Sequence, residues 1–199
     1  MSDQLNLREQ KKRHARNKII STALSLFASR GFVETTIADI MKEAQLGTGT
    51  FYNYFTSKEE ILNLFIAEKV KFATNRIDEI MLQDITATQK LLDLFRVVSE
   101  TFEKDPMLQN FFVQLFKLHY PYQSPANHGQ VFRNYLLAII NEGIASGEFR
   151  EDTEPDALLE LLHGITLSSM LTTIQPVNLA TRVDYKLTLV LTGIQNKRS

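Results

Sequence analysis

The stretch LGTGTFYNYFTSKEE, residues 46–60, crowds two glycines, three threonines and four aromatic rings into a short span just ahead of a long apolar segment. Its neighbours explain it. Apolar residues recur at three- and four-residue spacings over nearly the whole chain, and no segment alternates convincingly with period two, so the chain reads as all-α. Upstream, Ile20, Ala23, Leu24 and Phe27 form one stripe of a first helix, which stops at Gly31, a residue that tolerates the left-handed conformation. A second helix follows Thr35-Thr36, either of which can cap it, with Ile37, Ile40, Met41 and Ala44 at i, i+3, i+4, i+7. After the break at Gln45-Leu46-Gly47, a short third helix turns Phe51, Tyr54 and Phe55 inward. Ser57-Lys58-Glu59-Glu60 then has the spacing of a capping box, with Ser57 at the cap of a long fourth helix.

Three helices, the last two joined by a tight turn, form the helix-turn-helix arrangement, whose third helix lies in the DNA major groove. In that setting Gly47 and Gly49 remove side-chain bulk and let unpaired backbone N–H groups approach a phosphate. Thr48, Thr50, Tyr52 and Asn53 can reach phosphates or base edges, and Asn53 is the candidate for base readout. Lys58 puts a cation at a helix N-terminus, against the macrodipole, and a DNA phosphate is the expected compensating anion. An ordinary turn between core helices also satisfies the spacing. A dinucleotide loop does not: no strand precedes Gly47-Thr48-Gly49 and the third glycine is missing.

Composition narrows the classes further. The 199 residues include 44% hydrophobic ones, ordinary for a globular protein that buries a core, and no cysteine, which excludes disulfides and thiolate metal sites. The N-terminal MSDQLNLREQKKRHARNK lacks the apolar core of a secretory signal, and no apolar run approaches the roughly 18–20 residues that cross a bilayer, so a cytoplasmic protein without membrane association is expected. Net charge is −1, yet residues 1–58 hold nine basic side chains against five acidic ones, leaving 13 against 18 in the remainder. That asymmetry suits a polyanion-binding head on an acidic body.

Residues 35–60, TTIADIMKEAQLGTGTFYNYFTSKEE, closely resemble the DNA-binding segment of the TetR family of bacterial transcriptional regulators. Thr36, Ile40, Ala44, Gly49, Thr50, Tyr52, Tyr54, Phe55, Lys58 and Glu60 stand at the family's spacing, LFASRGF (26–32) precedes them, and GIASGEFRED (143–152) is a weaker sign. Two positions depart from the family: Gln45 replaces the usual turn glycine, and Gly47 replaces the usual serine cap. The resemblance implies a dimeric, ligand-responsive regulator, usually a repressor, on a palindromic operator, associated with the nucleoid when DNA-bound. Its DNA contacts would be drawn from Thr36, Gln45, Thr48, Gly49, Thr50, Tyr52, Asn53, Tyr54 and Lys58.

The expected organisation is a three-helix DNA-binding domain at 1–57 with a basic N-terminal arm, then a helical ligand-binding and dimerisation domain at 58–199, about nine helices in all. Later helices are expected near 58–82, 88–104, 107–119, 127–146, 155–174 and 180–196, separated by prolines and glycines, with HYPYQSPANH (119–128) as the longest loop. Phe95, Phe102, Phe111, Phe112, Phe116 and Tyr135, with His163 and Met170, are candidates to line a pocket for a small apolar or aromatic effector, although such rings at helical spacing also build cores. The resemblance assigns the dimer interface to the last two helices. Gly164, Ser168 and Thr172 form a narrow strip there, and Leu158, Leu161, Leu162, Ile165 and Leu171 spread round the same helix; Val183, Leu187, Val190, Leu191 and Ile194 are the candidates on the last one. Glu142 and Glu148 read as solvated helix-end charges. The four histidines are scattered, with no HExxH pair and no GxSxG elbow, so no enzyme, metal or cofactor is indicated. The competing class is a helical ligand-binding or adaptor protein without sequence-specific DNA recognition.

Overall fold

The computed structural model describes residues 2–117, 128–172 and 177–195, with side chains at 7–113, 130–172 and 177–195. Among the described residues there are nine helices: α1 (Ser2–Arg30), α2 (Ile37–Glu43), α3 (Thr48–Phe51), α4 (Lys58–Met81), α5 (Ala87–Lys104), α6 (Pro106–Lys117), α7 (His128–Ala145), α8 (Pro155–Leu171) and α9 (Leu179–Ile194). No strand occurs among them, and one isolated antiparallel bridge pairs Phe149 with Gln195. The expected loop at 119–128 lies outside the described residues, apart from His128 at the start of α7. The chain divides into two compact units, Met1–Ile66 and Ala67–Ser199. The division falls inside α4, so residues 58–66, including the buried Ile61, Leu62 and Phe65, go with the first unit.

In the first unit, the head, α1 packs on α2 and α2 on α3. The buried row of α1 is Ile19, Ala23, Leu26 and Phe27, with Ile20 and Leu24 only half-buried, a small rotation from the expected stripe. Gly31 ends the helix at φ 94°, its N–H donating to the Phe27 carbonyl at 3.0 Å. Of the two threonines before α2, Thr36 is the cap. Its hydroxyl accepts from the Asp39 N–H and its own N–H donates to the Asp39 carboxylate, a reciprocal capping box. These bonds from Thr36 hold the Asp39 carboxyl below its usual range. Thr35 is fully buried, its hydroxyl donating to the Gly31 carbonyl. The box expected at α4 forms one residue early: the Glu60 carboxylate accepts from the N–H and hydroxyl of Thr56, and Ser57 accepts from Glu60 N–H at a long 3.4 Å.

The second unit, the body, is built on one apolar core shared by α4, α5, α7, α8 and α9. The GIASGEFRED stretch locks it. Phe149 is fully buried beside Gly143, where an added Cβ would meet the Phe149 ring at 2.3 Å. Gly147 makes the turn at φ 73°. Glu148 is not the solvated charge expected, and Glu142, exposed as expected, is nevertheless paired. Glu148 accepts from the N–H groups of Ala87 and Thr88, covering the open N-terminus of α5, and Glu142 pairs at 2.7 Å with the buried ammonium of Lys90. The reason is tertiary: α7 packs on α5 and sets Glu142 beside Lys90, and the turn after α7 brings Glu148 back onto the start of α5, juxtapositions that local spacing does not encode.

Candidate functional site

The turn between α2 and α3 is made without glycine. Gln45 stands at φ 55°, the one non-glycine with positive φ among the described residues. Its N–H donates to the Lys42 carbonyl at 3.1 Å and that of Leu46 to Met41 at 2.9 Å, the paired bonds of a Schellman ending. A left-handed non-glycine residue costs on the order of 1–2 kcal/mol, which these bonds offset. Its side chain is left exposed beside α3.

Only four residues of α3 are regular helix, after which the chain continues through turn bonds, Tyr54 N–H to Phe51 at 2.9 Å and Phe55 N–H to Phe51 at 3.0 Å. So short a helix cannot hold itself. Phe51 and Phe55 anchor it, both essentially buried with ring centroids 5.7 Å apart, and the Arg16 guanidinium from α1 lies 5.2 Å from the Phe55 ring centroid. Arg16 was missed in the sequence, although its place one turn before Ile19-Ile20 on the buried row was a readable signal.

Gln45, Thr48, Gly49, Tyr52 and Asn53 are exposed, Tyr52 at 63%. Thr50 and Tyr54 are half-buried, and the exposed Thr36 has its hydroxyl committed to Asp39. Gly47 caps α3 with no side-chain bond to the first N–H groups. Neither glycine is needed by the fold: a Cβ on Gly49 would meet nothing within 4 Å, one on Gly47 would make an ordinary 3.7 Å contact with Thr50, and neither sits at positive φ.

Lys58 is placed differently from its expected use. Its ammonium donates to the carbonyls of Phe32 at 2.7 Å, Val33 at 3.2 Å and Thr35 at 2.7 Å, and lies 4.6 Å from the Phe32 ring centroid. The compensation expected from a phosphate is supplied by the α1–α2 loop, so Lys58 fixes that loop to the start of α4.

In the body, Phe95 and Met170 belong to the core, with Phe102, Phe112 and Tyr135 packed against it. Phe111 is buried, His163 half-buried, and the Phe116 side chain lies outside the described residues. Phe102 and Phe112 are in ring contact at 5.2 Å. Tyr135 donates its hydroxyl to Asp78, and burial together with that carboxylate pushes it up to about 12. Burial, then Arg133, pushes His163 down. Two buried hydroxyls that sequence reasoning did not single out, Ser99 on α5 and Ser169 on α8, have no hydrogen-bond partner among the described residues. Among the described residues no group of acidic or histidine side chains could hold a metal ion.

The residues expected at a dimer interface separate into two sets. Leu158, Leu162, Ile165, Val183, Leu187 and Leu191 are buried in their own chain, because they pack α8 and α9 into the core. Leu161 (59%), Gly164 and Ser168 are exposed, while Thr172, Val190 and Ile194 are half-buried. With the exposed set stand Leu171, also read from the sequence, and Tyr185 and Leu189, which sequence reading did not assign to it, and Lys186 donates to Ser168 at 2.8 Å. A Cβ on Gly164 or Gly193 would meet nothing within 4 Å.

A family profile described as bacterial regulatory proteins, tetR family, matches residues 19–64. The fatty acid metabolism regulator protein of Bacillus subtilis is 27% identical over 188 residues, covering 90% of this chain and 95% of that one. The HTH-type transcriptional repressor KstR2 of Mycolicibacterium smegmatis is 26% identical over 160 residues, covering 78% and 77%. Among solved structures, the transcriptional regulator FadR of Bacillus subtilis, in complex with stearoyl-CoA, superposes with a TM-score of 0.70 at 24% identity, covering 89% of this chain and 98% of that one.

Proposed function

We propose that this chain, whose residues 19–64 match the tetR-family profile, is a TetR-type cytoplasmic repressor that binds a palindromic operator as a homodimer and releases it on binding a fatty acyl-CoA. The observation that carries the DNA-reading part is the pair of glycines at α3. A glycine that neither packing nor dihedral angle demands makes sense where something from outside comes close to the backbone. Tyr52 and Asn53 then face the bases, Thr48 and Gln45 flank them, and Phe51 and Phe55 hold the platform.

The same argument supports the dimer. Gly164 and Gly193 cost helix stability without an internal reason, and they stand among exposed Leu161, Leu171, Tyr185 and Leu189, a face on which helices of a second copy can approach closely. The acyl-CoA reading draws on the stearoyl-CoA complex of the Bacillus subtilis FadR and on the aromatic-rich body here, whose Ser99 and Ser169 hydroxyls, unpartnered among the described residues, suit a polar group of such a ligand. A ligand that fits only the conformation with wrongly spaced heads favours that state by its differential affinity.

The test is a titration of labelled duplex from upstream of the protein's own gene, with a scrambled duplex as control, in the presence of stearoyl-CoA, stearate or coenzyme A. The expected result is selective binding, relieved by the thioester alone. Selective binding indifferent to all three would remove the effector assignment, and equal binding to both duplexes would favour the adaptor class.

A further inference from the structure

We propose that the N-terminal half of α1 is a second DNA-contact surface, a row of cations that grips phosphates flanking the base pairs addressed by α3; the inference rests on the DNA-binding reading above. Residues 7–18, LREQKKRHARNK, carry six basic side chains against the single acid Glu9. Residues 7–14 are all exposed, and among the described residues no ion pair involves any of the six cations.

Their placement is ordered. Arg8, Lys12 and Arg16 follow one another at i, i+4, i+8 on the helix face that continues as Ile19, Ala23 and Phe27. Where that face has the rest of the head to pack on it is apolar and buried; where α1 runs on past it, the same face turns cationic. The row spans about 12 Å at about 1.5 Å per residue, against phosphates spaced about 3.4 Å apart along a strand. Its inner end is fixed beside α3, since the Arg16 guanidinium lies 5.2 Å from the Phe55 ring centroid. Like charges at i, i+4 repel one another, and a merely solvated helix intersperses Glu with Lys. A polyanion lying along the row removes that repulsion, and duplex DNA held by α3 is the polyanion at hand.

The experiment uses the full chain. The double variant Arg8→Gln/Lys12→Gln is compared with wild type and with Lys71→Gln, an exposed cation of the body. Glutamine keeps high helix propensity, so folding is unaffected. Each protein is titrated over a series of salt concentrations against a duplex selected from a randomised pool and a scrambled duplex of equal length. In the double variant both affinities should fall together and the salt slope should become shallower by about 1.8, about 0.9 for each phosphate that is no longer neutralised, with the preference between duplexes kept. Extending the selected duplex by several base pairs at each end should tighten wild type and leave the variant unchanged. An unaltered slope, or an equal loss in Lys71→Gln, overturns the proposal. Equal wild-type affinity for both duplexes sinks base reading by α3, and the slope difference on the scrambled duplex still decides the row. Binding to neither duplex overturns both.

Discussion

In the head, each turn is closed by individually placed polar groups: Lys58 on three carbonyls, the reciprocal bonds of Thr36 and Asp39, the buried Thr35 hydroxyl, and the Schellman pair at Gln45. In the body the main agent is apolar burial, with carboxylates such as Glu148 finishing helix ends and two hydroxyls left without partners among the described residues. The contrast follows from element size. A four-residue α3 gains too little from burial to define its own position, so the surrounding backbone is pinned bond by bond and its outer side chains are presented rigidly. Helices of 16 to 18 residues, as in α5, α7, α8 and α9, locate one another through apolar faces, which can repack around a ligand.

The contrast is testable by substitutions that should loosen one unit alone. The largest effect is expected for Gly143→Ala, whose Cβ would meet the Phe149 ring at 2.3 Å. Overpacking of this kind costs about 3 kcal/mol, and hydrogen exchange should show protection lost in α5 and α7 but kept in α1 and α2. Equal loss in the head would mean that the two units unfold as one. Lys58→Met keeps the stem against Phe32 and leaves three carbonyls without their donor, for a loss of about 2 kcal/mol. Exchange should then accelerate at residues 31–36 while the body stays protected. If Lys58 serves a phosphate instead, the head will be as stable as before and only the salt slope of DNA binding will change.

Gln45→Gly should stabilise the head by about 1 kcal/mol, since glycine adopts the left-handed angle freely. A rise in denaturation midpoint with unchanged DNA preference would make Gln45 a turn residue only; a changed preference at one base position would make it a reader. The smallest effect is a pH dependence. Burial pushes the Glu148 carboxyl up, but bonds from Thr88, Ala87 and Thr86 more than offset this and leave it below its ordinary value of 4.5. A group with a depressed folded value adds stability above its unfolded value and loses it as pH falls through the folded one. Body stability should therefore decline as pH drops below about 4.5, and Glu148→Gln should flatten that decline.

The sequence revealed most where the cause is local. Apolar spacing and prolines located α2 to α9 and the apolar half of α1, because both act within one or two turns, whereas the polar start of α1 read only as a basic arm, and the exposed α3 set was legible from Gly47 and Gly49. What stayed hidden depends on distant chain segments. The carbonyl partners of Lys58 are 23 to 26 residues away, and the N–H groups capped by Glu148 are 60 and 61 away. On α8, apolar nearly all round, periodicity could not separate Leu158 and Leu162, which serve the core, from Leu161, which faces outward.

The most direct measurement of the central claim, that α3 reads DNA sequence, is selection of binding sites from a randomised duplex pool with wild type and Asn53→Ala in parallel. A palindrome with half-sites centred about 10–10.5 base pairs or a multiple apart, and relaxed preference at one position per half-site in the variant, is the predicted result. A wild-type pool no more ordered than the input would contradict it.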